Sequence, residues 1–129
     1  MKDKKICALI VDNDQEFLEI CMDFFITEDF EVFSASNCVD ALEINKSEDI
    51  DIHIINLNMP TAEDSKKYFN TIQPALLEGK AIFYFMASEF DINLIMPGVT
   101  SVLVKPFDID DVVTQIKGDV KMTLLNKIR

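Results

Sequence analysis

Short apolar runs alternate with segments of helical spacing five times along this chain. The runs are rich in Ile, Val and Phe, and they occupy residues 6–11, 31–35, 50–55, 81–87 and 101–104. Most of them are apolar at both odd and even positions, which is typical of strands that helices cover on both faces. Because a helical segment follows each run, the pattern predicts one α/β domain over residues 1–129 with a parallel sheet at its centre.

Capping signals mark where four of the helices begin. Each signal is a side chain that accepts a hydrogen bond, followed three residues later by an acid that favours the positive end of the helix. The four signals are Asn37-x-x-Asp40, Thr61-x-x-Asp64, Ser88-x-x-Asp91 and Asp108-x-x-Asp111. The helix that begins at Ser88 soon meets Met96-Pro97-Gly98, which ends it. We therefore predict a shortened fourth helix over about residues 88–95.

The charge balance excludes two classes of partner. The chain has 12 Lys and Arg against 23 Asp and Glu, which gives a net charge of −11. Such an acidic surface repels the phosphates of nucleic acids and the headgroups of anionic membranes. We expect no nucleic acid and no membrane to bind this domain alone.

The cysteines, the histidine and the lack of a long apolar stretch indicate the compartment. Cys7, Cys21 and Cys38 lie in apolar segments without paired spacing, which is typical of buried thiols in a reducing environment. His53 lies in an apolar run, and we expect it in the core rather than at a metal site. No stretch reaches the roughly 20 apolar residues of a membrane span. We therefore predict a cytoplasmic protein.

Polar side chains follow the first, third and fifth apolar runs. Asp12 and Asn13 follow the first run, Asn56 and Asn58 follow the third, and Lys105 follows the fifth. Ligands of an open parallel sheet bind at the carboxyl ends of its strands, so these residues form the candidate site. We expect an ion pair between Asp12 and Lys105 that bridges the first and fifth strands and stabilises the fold.

Five pieces of sequence add a more specific pattern. They are Leu9-Ile-Val-Asp-Asn-Asp14, Glu31-Val-Phe-Ser-Ala35, Asp51-Ile-His-Ile-Ile-Asn-Leu-Asn-Met-Pro60, Phe85-Met-Ala87 and Gly98-Val-Thr-Ser-Val-Leu-Val-Lys-Pro-Phe107. In this order and spacing, from Lys4 to about Leu125, the sequence resembles the receiver domain of two-component response regulators. The resemblance implies a doubly wound, flavodoxin-like sheet of five strands in the order 2-1-3-4-5. It also implies phosphorelay signal transduction, in which a histidine kinase passes a phosphoryl group to an aspartate beside Mg²⁺.

The resemblance places the chemistry of the family on residues that cannot perform it. It puts the phosphoacceptor at Asn56 and the acidic pair at Asp12 and Asn13, with Asn58 where the family supplies a backbone carbonyl to the metal. Of the charged residues, only Asp12 and the lysine at Lys105 match the family. A neutral amide is not a nucleophile toward phosphorus, and Mg²⁺ needs anionic oxygens. We predict a degenerate acidic pocket with no catalytic residue, no cofactor, and weak or absent Mg²⁺ binding.

The resemblance also places the conformational switch of the family on Met86 and Val102. The family has Thr or Ser at the first position and an aromatic side chain at the second, and its partners bind the face of the fourth helix, fifth strand and fifth helix. We therefore predict a pseudo-receiver that is not an enzyme and that binds a protein partner through this face without phosphorylation, with a homodimer as a further option. The candidate contact residues are Phe90, Ile92, Leu94, Val102 and Phe107.

Two other interpretations stay open. The chain can be a conventional phosphoreceiver, either because Asn56 was engineered in place of an aspartate or because Asp12 is a non-standard acceptor. It can also be a small enzyme or nucleotide binder, which would need a Ser/Thr-rich or Gly-rich turn after the first strand. The turn at residues 12–16 reads Asp-Asn-Asp-Gln-Glu, and its carboxylates repel phosphate, which disfavours this last interpretation.

Overall fold

Five parallel strands form a single sheet in the order β2-β1-β3-β4-β5. The computed structural model describes residues 5–124. Its strands are β1 (Cys7–Val11), β2 (Glu31–Ala35), β3 (Ile52–Asn56), β4 (Ile82–Ala87) and β5 (Ser101–Val104). This arrangement confirms the predicted α/β class and the flavodoxin-like strand order.

Four helices connect or follow the strands, and each begins at a capping side chain. The helices are α1 (Gln15–Thr27), α2 (Cys38–Ser47), α3 (Ala62–Leu77) and α4 (Ile109–Thr123). The side chains of Asp14, Asn37, Thr61 and Asp108 accept hydrogen bonds from backbone N–H groups of the first turns. Three of these caps are the ones that the sequence predicts, and α4 corresponds to the predicted fifth helix.

The connection between β4 and β5 differs from the prediction. Instead of a helix over residues 88–95, it contains one 3₁₀ turn at Ile92–Leu94. Ser88 does not cap it; the side chain of Asp91 does, by accepting a hydrogen bond from the second N–H after it. Because this cap comes late and Pro97 follows closely, the chain has room for only one short turn.

Alternate side chains of the strands fill two cores, one on each face of the sheet. The α2/α3 core contains, among others, Leu9, Val11, Ile55, Tyr68, Phe69, Ile72, Phe83, Phe85 and Leu94. The α1/α4 core contains, among others, Ile10, Leu18, Cys21, Phe25, Ile54, Tyr84, Met86, Leu103 and Ile116. Burial on both faces explains why the central strands are apolar at nearly every position, with His53 and Asn56 of β3 as the polar exceptions.

The two faces differ at the edge strand β5. On the α1/α4 face, Leu103 is buried under helices. On the opposite face, Val102 is only partly buried, and it packs against the α2/α3 core, as do Met96 and Val99 of the β4–β5 connection. The β4–β5 connection therefore supplies no α-helix to this layer, unlike the other crossovers of the sheet.

The histidine and two of the three cysteines are buried, as the sequence predicts. The Nδ1 of the buried His53 lies 2.8 Å from the hydroxyl of Tyr68. Cys7 and Cys21 are buried, whereas Cys38 is only half-buried, and none of these three cysteines, all within residues 5–124, forms a disulfide. Within residues 5–124, no helix combines the length and the apolar character that crossing a membrane requires.

Candidate functional site

An ion pair joins the carboxyl ends of the first and fifth strands. The Nζ of Lys105 lies 2.6 Å from Oδ2 of Asp12, and the backbone N–H of Asp14 donates to Oδ1 at 3.0 Å. The Asp12 side chain is only 1% exposed, so its charge depends on these partners. The predicted Asp12–Lys105 pair is thus confirmed.

One aromatic ring contacts the lysine, and a second ring packs against the first. The ammonium of Lys105 lies 4.4 Å from the centre of the Phe17 ring, a cation–π contact. The Phe17 ring in turn meets the edge of Phe107, with ring centres 5.9 Å apart. The lysine is therefore fixed between a carboxylate and an aromatic ring. The sequence indicates Phe17 only as one member of an apolar helix stripe, and a contact with a distant lysine leaves no periodic signal.

The amide side chains of the predicted pocket differ in their exposure. Asn56 ends β3 and is half-buried, whereas Asn13 and Asn58 are exposed. The backbone carbonyl of Asn56 accepts a hydrogen bond from Oγ of the buried Ser65 at 2.8 Å. Ser65 therefore ties the first turn of α3 to the end of β3, a contact that the sequence analysis missed because hydroxyls in first helical turns are common.

The two predicted switch positions lie on neighbouring strands but on opposite faces of the sheet. Met86 pairs with Asn56 in the register of β3 and β4, is 1% exposed and belongs to the α1/α4 core. Val102 packs against the α2/α3 core. Both side chains are aliphatic, so neither can donate a hydrogen bond to a bound anion.

A small cavity of about 220 Å³ opens beside the ends of β3 and β4. It is lined by Leu57, Asn58, Ala87, Ser88, Glu89 and Asp91. Its two carboxylates give it a negative charge, which disfavours a phosphoryl group. Glu89 and Asp91 are also absent from the predicted site, because the sequence placed them in a helix.

The donor atoms of the site do not suit Mg²⁺. The ion needs several hard anionic oxygens to replace its water. Here Asp12 is already neutralised by Lys105, and Asn13 and Asn56 offer only neutral amides. In the part of the chain that is described, no group of three His, Cys, Asp or Glu side chains could hold a metal ion.

The thiol of Cys21 interacts electrostatically with the Asp12–Lys105 pair, and burial keeps this thiol protonated. Burial raises the pKa of the Cys21 thiol to about 11, and the negative charge of Asp12 adds to this effect. A thiol with so high a pKa is a poor nucleophile at neutral pH. Cys21 is therefore not an activated nucleophile beside the Asp12–Lys105 pair.

One predicted contact residue of the partner face lies in the core instead. Leu94 is 1% exposed, because the 3₁₀ turn directs it into the α2/α3 core. Phe90 and Ile92 are exposed, and Val102 and Phe107 are half-buried. Four of the five predicted residues thus reach the surface.

Comparison with known proteins identifies the family. The family model described as the response regulator receiver domain matches residues 8–117. No match was found among the curated proteins that were compared with this chain.

Solved structures with the same fold cover nearly the whole chain. The signal receiver domain of a protein named as a Luxo repressor of Vibrio parahaemolyticus has a TM-score of 0.83 at 16% identity, with 96% of each chain covered. A CheY-like receiver domain protein of Methanospirillum hungatei JF-1 has a TM-score of 0.80 at 17% identity, covering 95% of this chain and 99% of that one. The response regulator TrrA of Thermotoga maritima, solved in complex with Mg²⁺–BeF, has a TM-score of 0.73 at 19% identity, covering 88% and 97%.

The family match, the strand order and the polar residues at the carboxyl ends of the strands agree with one another. The chain belongs to the response regulator receiver domains of two-component systems.

Proposed function

We propose that this receiver domain acts without phosphorylation, as a module that binds a protein partner. One observation carries the proposal: β3 ends in a neutral Asn56, while the carboxylate of Asp12 is held by Lys105 at 2.6 Å. The candidate site thus has a stabilising ion pair but no free carboxylate at the strand end that the family uses.

Phosphoryl transfer needs a nucleophile, a counter-charge and hydrogen-bond donors around the phosphate. The amide nitrogen of Asn56 has a delocalised lone pair and does not attack phosphorus. Asp12 is the alternative acceptor, but its 1% exposure and its ion pair both oppose attack on an external phosphodonor. The thioether of Met86 cannot donate to a bound phosphate, and Glu89 repels one.

The docking surface that we propose comprises the β4–β5 connection, β5 and the start of α4. Phe90 and Ile92 are exposed on the connection, Val102 is half-buried against the α2/α3 core, and Phe107 is half-buried against the α1/α4 core. Without a hydroxyl at Met86 or an aromatic ring at Val102, we propose that the shape of this face does not depend on phosphorylation.

Two further properties are part of the proposal. Cys21 and Cys38 form no disulfide, which is compatible with a reducing compartment and supports a cytoplasmic location. The high pKa of Cys21 and the paired Asp12 argue against catalysis at this end of the sheet.

Calorimetric titration with acetyl phosphate and Mg²⁺ tests the proposal. We expect no heat of binding or reaction and no change in melting temperature, because neither ligand finds a suitable site. The matched control is the Asn13→Asp/Asn56→Asp double variant, which we expect to respond to Mg²⁺. A response of the native chain as large as that of the double variant would refute the proposal.

A further inference from the structure

Four large apolar side chains are exposed around the edge strand β5. They are Phe90 (58% exposed), Ile92 (68%), Ile95 (49%) and Val104 (38%). We call this group the β5-side patch. Three of the four lie within residues 90–95, whereas the other large exposed apolar side chains (Ile20, Ile26, Val39, Leu77 and Met122) are distributed over the four helices.

Backbone contacts bring Val104 to this segment. Val104 pairs with Ala87 in the register of β4 and β5, and the N–H of Lys105 donates to the carbonyl of Ala87 at 2.8 Å. Phe90 follows Ala87 by only three residues, so the connection leaves β4 beside Val104. The β5-side patch therefore includes a residue of the edge strand β5 and residues of the connection that follows β4.

The connection that displays the patch is anchored. Leu94 is 1% exposed in the α2/α3 core, and the side-chain amide of Gln73 on α3 donates to the carbonyl of Pro97 at 2.7 Å. The backbone N–H of Thr100 donates to the carbonyl of Phe83 at 2.7 Å. The apolar side chains of the patch thus project from a segment that is fixed on both sides, which lowers the entropy cost of binding.

The patch lies where the sheet lacks a covering helix. On the α1/α4 face, Leu103 of β5 is buried under helices. On the other face, α2 and α3 contribute to the core, and the β4–β5 connection supplies a single 3₁₀ turn where the other crossovers of the sheet supply a helix. A helix laid against β5 and the 3₁₀ turn would complete the layer on this face, as helices do elsewhere in doubly wound sheets.

The negative charge around the β5-side patch favours a partner helix that carries positive charge. Residues 88–100 contain two charged side chains, Glu89 and Asp91, both acidic and both exposed. Asp108 and Asp110, also exposed, follow Val104 at the start of α4. The whole chain has a net charge of −11, so a second copy would be repelled, whereas a basic partner would be attracted.

We propose that the β5-side patch binds a basic amphipathic helix of a partner protein. The apolar stripe of that helix contacts Phe90, Ile92 and Val104, and its Lys and Arg side chains contact Glu89 and Asp91. This inference rests on the proposed function, because it names the occupant of the same face.

A panel of synthetic peptides tests the occupant. Each peptide is a helix of about four turns with an apolar stripe at i, i+3, i+4 and i+7, and its polar face carries either Lys and Arg or Glu. We expect basic members to shift the amide NMR signals of residues 88–104, and matched acidic members to leave them unchanged. We also expect the affinity for the basic peptides to fall as salt rises.

Variants on exposed positions provide the controls. Phe90→Ser removes an exposed anchor and should weaken peptide binding roughly tenfold, whereas Val39→Ser, at a 72% exposed position on α2, should leave it unchanged. Glu89→Lys should weaken binding of basic peptides, and Glu19→Lys on α1 should not.

Four outcomes would overturn the proposed occupant: no binding by the whole panel, equal binding of acidic peptides, loss of binding in Val39→Ser as large as in Phe90→Ser, or a dimer that Phe90→Ser dissociates. These outcomes leave the absence of phosphorylation untouched. A phosphorylated native chain would instead overturn the proposed function, whatever the peptides do.

Discussion

The two halves of the site at the carboxyl ends of the strands differ in chemistry. One half, Asp12 and Lys105, is ionic, buried and closed by a contact of 2.6 Å. The other half, Asn56 and Met86, pairs a neutral amide with an aliphatic side chain across β3 and β4. With the acceptor position of the family placed at Asn56, as proposed above, the fold keeps a charged pair between two strands while that position carries no charge.

The largest expected effect on stability comes from breaking the Asp12–Lys105 ion pair. Lys105→Ala leaves the buried Asp12 carboxylate without its counter-charge and should lower the free energy of unfolding by about 2–3 kcal/mol, somewhat less than for a fully buried pair because the lysine is 28% exposed. Urea denaturation measures this change. The control is Lys46→Ala, which removes the exposed Lys46–Glu43 pair and should cost less than about 0.5 kcal/mol. Equal losses in both variants would contradict a stabilising role for the Asp12–Lys105 pair.

Restoring charge to the neutral half should have the next largest effect. Asn13→Asp with Asn56→Asp places like charges beside Asp12 and should destabilise the metal-free domain by about 1–2 kcal/mol. Millimolar Mg²⁺ should reverse this loss, since a metal that binds only the folded state stabilises it. Thermal unfolding with and without Mg²⁺ is the measurement.

The matched control for that experiment is Asn70→Asp with Asn93→Asp, which adds the same charge at exposed positions. It should show neither the destabilisation nor the Mg²⁺ response. If the two double variants behave alike, Asn13 and Asn56 do not occupy the acidic positions of the family.

The pKa of Cys21 predicts a pH dependence of stability. The thiol titrates near 9 when unfolded and at about 11 in the folded chain, so above pH 9 the unfolded state loses its proton first. Stability from this group is complete below pH 9 and falls as pH rises toward 11, by about 1 kcal/mol at pH 10. Cys21→Ala should show a shallower decline between pH 9 and 11 in urea unfolding, and an identical slope would exclude this contribution.

The smallest effect concerns the aromatic support of the lysine. A double-mutant cycle with Phe17→Leu and Lys105→Met should give a coupling energy of about 0.5 kcal/mol from the cation–π contact. The parallel cycle with Phe107→Leu and Lys105→Met should give a smaller coupling energy, because Phe107 packs against the ring of Phe17 and the cation–π contact of Lys105 is with Phe17. A larger coupling energy for Phe107 than for Phe17 would mean that Phe107, and not Phe17, is the ring that stabilises the ammonium of Lys105.

The sequence was sufficient to predict the strands, the capped helices and the Asp12–Lys105 pair. These features depend on local pattern or on strand ends that the topology brings together, even though Asp12 and Lys105 are 93 positions apart in the chain. The β4–β5 connection was predicted less well, because Ser88-x-x-Asp91 fits a capping signal but Asp91 is the side chain that caps. The single 3₁₀ turn then directs Leu94 inward, an orientation that no periodic pattern records.

The contacts that side chains make in the site with residues far away in the chain could not be predicted from the sequence either. Phe17 lies under Lys105, and Ser65 bonds to the carbonyl of Asn56, only because helices and strands meet at particular angles. Residue type alone does not specify such contacts, since phenylalanine in a helix stripe and serine in a first turn are compatible with many environments.

Intact-mass spectrometry after incubation with acetyl phosphate and Mg²⁺ tests the central claim most directly. The measurement compares the native chain with the Asn13→Asp/Asn56→Asp variant under the same conditions. We expect the native mass to stay unchanged, because Asn56 is not a nucleophile and Asp12 is buried against Lys105. A stable adduct of one phosphoryl group on the native chain, at Asp12 or at any other residue of the site, would contradict the account.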